Sequence, residues 1–284
     1  MPNLYQTTER NNDKKERLIE GSSVKAISQV SSPVVSKQEV MPGVFLIWLE
    51  SPRIALIAQP GQFVMLCCGE DNLLRRPFSI HQLDDQNNKL ALLFSVVGKG
   101  THWLSQRQAG DRIDLLGPMG NGYFIDPNSS NLLLVAGGIG IAPLCFLART
   151  ALEQGFLVTL LLGATTESQL CPNHLLPSRT RCITATEDGT KGKKGMITDL
   201  LPEYIDWADQ VFACGPSPMY RAMASQNLLR DKPCQISLEV RMGCGLGVCY
   251  GCTVKTKSGL KQVCQDGPVF NLDDVLWDDF VDIK

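Results

Sequence analysis

Apolar and polar positions along the chain change rhythm twice. From Val24 to about Asp126, short apolar-rich stretches ("VKAISQV", "GVFLIWLE", "QFVMLCC", "FSIHQL", "LALLFSVV", "RIDLLGP") are separated by turn signals such as "MPG", "QPG" and "DDQNN". About six strands at this spacing predict an antiparallel β-barrel. One helical stretch interrupts them, "THWLSQRQAG", with Thr101 as its N-cap and Gly110 at its end.

The next stretch, "NLLLVAGG", is continuously apolar, as in a parallel strand covered on both faces. A helix "APLCFLARTALEQG" follows, and "LVTLLLGA", "RCITATED", "MITDLLPEY", "DQVFACGP" and "SPMYRAMASQNLL" continue the alternation of strand and helix. Residues 127–232 are therefore expected to form an α/β nucleotide-binding domain with a parallel sheet, after a barrel over residues 24–126. Residues 233–284 form a cysteine-rich module with an acidic tail, "NLDDVLWDDFVDIK", in which Leu276, Trp277 and Phe280 are either partner anchors or, the simpler expectation, packed on the protein itself. Residues 1–23 are a polar tail in which Leu18 and Ile19 offer a docking point.

Composition narrows the function classes. Across 284 residues, 44% are apolar and 20% charged with a formal charge of −2, so nothing favours nucleic acid electrostatically. The longest apolar run is broken by three glycines and a proline, poor material for a membrane helix. The N-terminal stretch lacks the apolar core of a signal peptide, and a cytoplasmic location is expected. Eleven cysteines without secretory features argue against a disulfide framework, and Cys67, Cys68, Cys145 and Cys214 sit among apolar neighbours as small buried hydrophobes.

Four cysteines carry chemistry. Cys244, Cys249, Cys252 and Cys264 stand as C-x4-C-x2-C-x11-C, and the first three match plant-type [2Fe–2S] spacing. Structural zinc more often takes two C-x2-C knuckles or cysteine with histidine, and no histidine lies near. Gly243, Gly245, Gly247 and Gly251 leave the backbone bare enough to wrap a cluster and aim N–H groups at sulfur.

Such a cluster needs electron partners, and four glycine- or arginine-bearing stretches supply candidates. "RRPFSI" puts two guanidinium groups beside a stiffened strand with Phe78 and Ser79, suited to a phosphate and a flavin ring, or else an ordinary strand entry. "GKGT", residues 98–101, opens the barrel's helix where backbone N–H groups and Thr101 suit a pyrophosphate, or simply make a tight turn. On one small barrel the two together point to a flavin nucleotide. "GGIGIAPL" follows a buried strand and opens a helix, where a dinucleotide's phosphates are expected. It departs from G-x-G-x-x-G at Pro143, and the acidic residue about twenty positions on is missing, because "TLLLGA" occupies that region. "ACGPSPM" repeats the strand, turn and helix start, with Cys214 at a strand's C-terminal end.

With "PGQFV", "RRPFSI", "GKGT", "GGIGIAPL", "ACGP" and "EVRMGCGLGVCYGCTVKT" leading to "VCQDGPVF", residues 24–271 resemble the ferredoxin–NADP reductase superfamily. Within it they look like the electron transfer subunits of class 1B dihydroorotate dehydrogenase, the PyrK family. The resemblance implies a ferredoxin-reductase-like barrel, an NAD-binding domain and a [2Fe–2S] module. It implies that Arg76, Pro77, Phe78 and Ser79 contact FAD, that Leu93, Phe94 and Ser95 line the same flavin, and that Gly100 and Thr101 hold its pyrophosphate. Gly137, Gly138, Gly140, Cys214, Gly215 and Pro216 would form the nicotinamide side, and the four clustered cysteines would ligate [2Fe–2S].

It also implies a role in pyrimidine biosynthesis. An FMN-containing catalytic subunit would oxidise dihydroorotate, and electrons would pass through the cluster to FAD and as hydride to NAD+, in a heterotetramer of two catalytic and two electron transfer subunits. No acid–base pair is then required, and His81, His102 and His174 are read as structural or surface residues. The partner interface is expected on the face carrying residues 244–252. The competing expectations are the flavin subunit of another NAD(P)H-linked complex, such as a ferredoxin:NADP oxidoreductase or sulfide dehydrogenase, and a zinc-holding binding module with a vestigial flavin site. The preference between NAD and NADP is not fixed.

Overall fold

A computed structural model describes residues 27–69, 73–229 and 231–280. The polar tail with Leu18 and Ile19, and the first three residues of the expected opening strand, lie outside the described residues.

Six strands close the barrel: β1 (Ser28–Met41), β2 (Val44–Glu50), β3 (Phe63–Leu66), β4 (Arg76–Leu83), β5 (Lys89–Ser95) and β6 (Arg112–Met119), in the order β1-β2-β5-β4-β3-β6. The opening strand runs well past "VKAISQV" because one strand serves two partners. Ser28 to Pro33 pair with β6, and Val34 to Met41 pair with β2. Pro33, which has no N–H for a ladder, sits where the partner changes. Alternate side chains point inward, and Ile47, Leu49, Val64, Leu66, Ile80, Leu90 and Leu92 are fully buried.

Two short helices decorate the barrel, α1 (Pro52–Ala55) and α2 (Lys99–Ser105). The second corrects the capping expectation. Gly98 is the N-cap and Thr101 lies three residues in, where its hydroxyl accepts from the N–H groups of Val97 (2.9 Å) and Gly98 (3.1 Å). The helix ends at Ser105, and Gly110 belongs to the following turn with φ +94°.

The second unit contains β7 (Asn131–Gly137), α3 (Ile141–Glu153), β8 (Leu157–Ala164), β9 (Arg181–Thr186), β10 (Lys193–Lys194), α4 (Leu201–Tyr204), β11 (Gln210–Cys214), α5 (Ser217–Ser225) and β12 (Cys234–Ser237). These are followed by the hairpin β13 (Thr253–Thr256) and β14 (Gly259–Gln262), and by β15 (Val269–Asn271). The large sheet has the order β10-β9-β8-β7-β11-β12-β15, parallel except for β15. The sheet therefore does not stop at residue 232. Strands β12 and β15, both from the segment expected to be a separate module, extend it, because Cys234–Ser237 is a fully buried stretch that pairs with β11. Strand order reverses between β7 and β11, and open sheets of this kind receive ligands at the carboxyl ends beside such a reversal.

The acidic C-terminal segment folds back onto this unit. Trp277 packs on Tyr220 with ring centroids 5.5 Å apart, and the Arg221 guanidinium donates to the carbonyls of Trp277 and Phe280. Trp277 and Phe280 are thus internal anchors, while Leu276 stays on the surface. No helix among the described residues is long and apolar enough to cross a membrane.

Helix α3 joins the two units by lying against β4. Leu46, Ala91 and Leu93 of the barrel share a core with Leu144, Cys145 and Leu147 of the helix. At the same contact His81, fully buried, places Nδ1 2.9 Å from the carbonyl of Ala142. Nδ1–H is the donor to that carbonyl and Nε2 is buried without a hydrogen-bond partner, so a second proton would be unsolvated there and the ring is neutral with its proton on Nδ1. Desolvation outweighs the hydrogen bond and, helped by Arg149, drives the imidazole from 6.5 down to about 4. A folded-state value below the unfolded one means that the unfolded chain binds the proton first, so stability is lost as pH falls through 6.5 towards 4. Between pH 7.5 and 5.5 the wild-type holoprotein is expected to lose roughly 1 kcal/mol more stability than His81→Asn, whose amide still reaches Ala142; urea unfolding at the two pH values measures the difference.

Candidate functional site

Three places on this scaffold bring together the expected site residues. The first is a cavity of about 410 Å³ on the barrel, lined by Arg76, Pro77, Phe78 and the run Val97 to Thr101. It carries two cationic side chains, Arg76 and Lys99, beside the first turn of α2, whose leading N–H groups have no intrahelical acceptor. Gly100 lies so near Arg76 that a β-carbon there would come within 3.3 Å of Arg76 Cγ. This donor set fits the pyrophosphate of a flavin dinucleotide. Only one guanidinium of "RRPFSI" faces the cavity, because Arg75 is committed to Asp114 at 2.6 Å and to the backbone carbonyl of the same residue. Ser79 lies on the pleat face opposite Phe78 and lines neither this cavity nor the next.

The second place is a larger cavity of about 830 Å³ between the barrel and the carboxyl edge of the large sheet. Gly137, Gly138, Gly140, Gly215 and Pro216 form its floor, while Met41 to Val44, Ser95 and Val96 of the barrel form the facing wall. Gly140 is required by close approach, since a β-carbon there would stand 2.0 Å from the carbonyl oxygen of Cys214. Of the residues expected to line the flavin, only Ser95 opens here. Leu93 is buried in the core shared with α3, and Phe94 is buried in the barrel with its ring against Phe45 and Phe78. Cys214 also turns away: its thiol faces the carbonyl of Ser237, and burial pushes it far above the usual thiol range.

Sequence reasoning missed two carboxylates in this cavity. Glu187 lies just beyond β9 and Glu239 just beyond β12. Glu239 is exposed on the cavity wall, and the partial loss of hydration there raises its carboxyl above the ordinary range. The signal for Glu187 was an acidic residue directly after the strand "RCITAT", one strand further along than the position searched.

The third place is the cysteine loop. Its thiols come together as two pairs. Cys252 and Cys264 are buried with sulfurs 3.3 Å apart, and Cys244 is within hydrogen-bond reach of Cys249. Backbone donors point at them, Leu246 N–H at Cys244 (3.3 Å) and Gly247 N–H at Cys264 (3.2 Å). Partial desolvation raises the Cys244 thiol, but hydrogen bonds from the N–H groups of Leu246, Cys249 and Val248 outweigh it and bring it down to about 7. Among the described residues no three potential ligands converge on one point for a single ion. Two thiol pairs fit a two-iron cluster, each iron taking one pair, better than one tetrahedral zinc.

The loop is held against the barrel. Gly245, with φ +72°, packs so closely on β3 that a β-carbon would come within 2.9 Å of Met65 Cγ. Outward, the exposed Cys249 is surrounded by Leu246, Val248 and Tyr250, the last two more than two-thirds exposed. His102 and His174 lie on the surface and line neither cavity, His102 following Thr101 on α2.

Comparison with known proteins agrees with this division. Residues 31–124 match the model of the oxidoreductase FAD-binding domain, residues 134–225 that of the oxidoreductase NAD-binding domain, and residues 239–276 that of the iron–sulfur cluster binding domain of dihydroorotate dehydrogenase B. The chain is 40% identical over 254 residues to the electron transfer subunit of dihydroorotate dehydrogenase B (NAD(+)) from Desulforamulus reducens, covering 86% of this chain and 97% of that one. To its counterpart from Geobacillus thermodenitrificans it is 37% identical over 250 residues, covering 86% and 96%. Among solved structures, one described as the NADH-dependent reduced ferredoxin-NADP oxidoreductase superposes with a TM-score of 0.80 at 33% identity, covering 88% of this chain and 91% of that one. The ferredoxin reductase of carbazole 1,9a-dioxygenase, at 21% identity and a TM-score of 0.64 over 72% and 66% of the two chains, shares the fold.

Two substitutions separate the places. Gly245→Ala, strained by its φ and by Met65, is expected to lower iron and sulfide content while flavin content stays near wild type; chemical iron and sulfide assays check it. Gly140→Ala is expected to leave flavin and cluster in place and weaken nicotinamide nucleotide binding, as read by calorimetric titration.

Proposed function

The chain belongs to the family of electron transfer subunits of NAD-dependent dihydroorotate dehydrogenase B, and from that premise we propose that it carries electrons from the FMN of a catalytic subunit, by way of [2Fe–2S] and FAD, to NAD+. The observation that carries the reading is the pairing of four thiols in a domain of the dihydroorotate dehydrogenase B type, on one chain with a phosphate-binding barrel cavity and a cavity facing a parallel sheet.

When bound, the cluster moves single electrons, and the flavin exchanges these for the electron pair that nicotinamide requires. The chain's own residues arrange the encounter. Arg76, Lys99 and the first turn of α2 hold the flavin's phosphates. Cys244 with Cys249, and Cys252 with Cys264, hold the two irons, with N–H groups of Leu246 and Gly247 offsetting the charge on sulfur. Gly137, Gly138 and Gly140 let the backbone approach the nucleotide, and the barrel wall at Met41 to Val44 and Ser95 closes over it and excludes water. Leu93, Phe94 and Cys214, whose side chains turn into the interior, contribute through backbone atoms.

The exposed rim of Leu246, Val248 and Tyr250 around Cys249 is the docking face for the catalytic subunit, in an assembly of two copies of each. The complex is cytoplasmic, and the domains follow the sequence divisions with the sheet's last two strands drawn from the cluster segment. A second reading, a subunit of a ferredoxin–NADP oxidoreductase, is favoured by the 0.80 superposition.

Reconstitution decides between them: with a dihydroorotate dehydrogenase catalytic subunit the complex is expected to reduce NAD+ at the expense of dihydroorotate. No such activity, with ferredoxin serving as donor instead, would favour the second reading. Cys249→Ala is expected to abolish the dihydroorotate-linked reaction while NADH oxidation by ferricyanide at the flavin persists, a contrast that steady-state assays of both reactions measure.

A further inference from the structure

We infer that Tyr220 is a positioning residue for the nicotinamide half of the dinucleotide, its hydroxyl spliced into the ladder where β11 and β12 part to form the cavity floor. The inference rests on the reading of the larger cavity as the dinucleotide site. The two strands run parallel, with Val211 opposite Cys234 and Ala213 opposite Ile236, and the Val211 N–H donates to the Pro233 carbonyl at 2.9 Å. A parallel ladder repeats every two residues, so two repeats further on the Gly215 N–H is the natural donor to the Ser237 carbonyl. Here the Tyr220 hydroxyl stands between the two. It accepts from the Gly215 N–H at 2.9 Å and donates to the Ser237 carbonyl at 2.6 Å.

Both bridged groups belong to the cavity floor. Gly215 and Pro216 line it on the β11 side, and Glu239, two residues past Ser237, lines it on the β12 side. The Cys214–Gly215 peptide is gripped from two directions, its N–H by Tyr220 and its carbonyl oxygen by Gly140, on which a β-carbon would stand 2.0 Å from that oxygen. Gly215 also lies against the other glycine turn, since a β-carbon on it would come within 3.1 Å of the Gly137 nitrogen. The hydroxyl therefore fixes the point where the two glycine turns meet. The barrel marks this as the redox half. Ser95 and Val96 line the facing wall, and the chain continues directly into Val97 to Thr101 of the phosphate cavity, so the wall opposite the glycine turns is the one that leads to the flavin's phosphates.

The ring is held firmly for this task. Tyr220 is buried, and Trp277 packs on it. Trp277 is itself tied down, its indole N–H donating to the Leu272 carbonyl at 3.1 Å and its own carbonyl accepting from Arg221. The C-terminal segment thus backs the tyrosine. Burial pushes the phenol far above its usual range, so it stays protonated and remains a donor to Ser237. Phenylalanine would fill the same space against Trp277, so what the tyrosine adds is the pair of hydrogen bonds. Without the hydroxyl, Gly215 and Ser237 must either close on each other, which narrows the floor, or stay apart with a buried N–H and carbonyl unpaired. Either way the surface under the nicotinamide shifts, while Thr165, Gln169 and Glu187, which line the cavity beyond β8 and β9, keep their places.

The test uses the full, flavin- and cluster-loaded chain in wild type, Tyr220→Phe and Trp277→Leu, with two probes: NADH, and ADP-ribose, which carries the adenosine and both phosphates without the nicotinamide. Anaerobic stopped-flow absorption gives the limiting rate of flavin bleaching at saturating NADH, and isothermal titration calorimetry gives the ADP-ribose dissociation constant. Tyr220→Phe is expected to lower the limiting rate about tenfold or more, while the ADP-ribose constant and the flavin and iron contents stay at wild-type values. Trp277→Leu keeps the hydroxyl but removes its backing. It is expected to lower the rate by a smaller factor with the same ADP-ribose constant, and it carries the test should Tyr220→Phe fail to load its cofactors. An unchanged rate, or a rate that falls only in step with weaker ADP-ribose binding, would overturn the assignment of Tyr220 alone. A wild-type chain that binds neither NADH nor ADP-ribose would overturn the reading of the cavity beneath it.

Discussion

Met65 and Pro77 face each other across the β3–β4 ladder, and the redox-active parts of the chain are arranged around that pair of strands. On one side Gly245 presses the cysteine loop onto Met65. Along the ladder, Arg76 and Phe78 flank Pro77 and open on the phosphate cavity. At the far end of β4, His81 clamps the barrel to the first turn of α3, which begins where the glycine floor of the larger cavity ends. One wall of one barrel thus fixes a cluster site, a flavin site and a nucleotide site relative to one another. Electron transfer depends on such separations, and the shared two-strand wall sets them.

The electrostatics follow the same division. Cations gather where phosphate alone must be held, N–H groups gather around thiolates, and carboxylates mark the two ends of the nucleotide cavity. None of these groups has to donate or remove a proton from an organic substrate, in keeping with a chain whose chemistry is carried by bound redox groups. The buried histidine is consistent with this. Its ring is neutral, walled in and used to join two units.

Much of this was legible in the sequence, for reasons that differ by element. The barrel strands were visible because each is a short alternating run between turn residues, and the cysteine spacing was visible because three of the four ligands stand close together on one tight loop. What escaped was set by tertiary context. Thr101 caps backwards from the third position of its helix, which needs the real start at Gly98 to be known. Arg75 is taken by Asp114, a partner 39 residues away that no local pattern reveals. Leu93 and Phe94 follow the motif order but point into two cores. Glu187 could not be found by counting from the glycine turn, since it comes from the next strand over, and Cys234–Ser237 joined the sheet because burial on both faces outweighed its position in a cysteine-rich segment.

The central claim is that the cluster and the flavin are electrically connected through this shared wall within a single chain. Anaerobic rapid mixing of the intact chain with NADH, followed by visible absorption and electron paramagnetic resonance, tests it most directly. The account predicts that flavin bleaching is followed by reduction of the cluster in the same molecules, with no catalytic subunit present. A flavin that bleaches while the cluster stays oxidised until the catalytic subunit is added would contradict it.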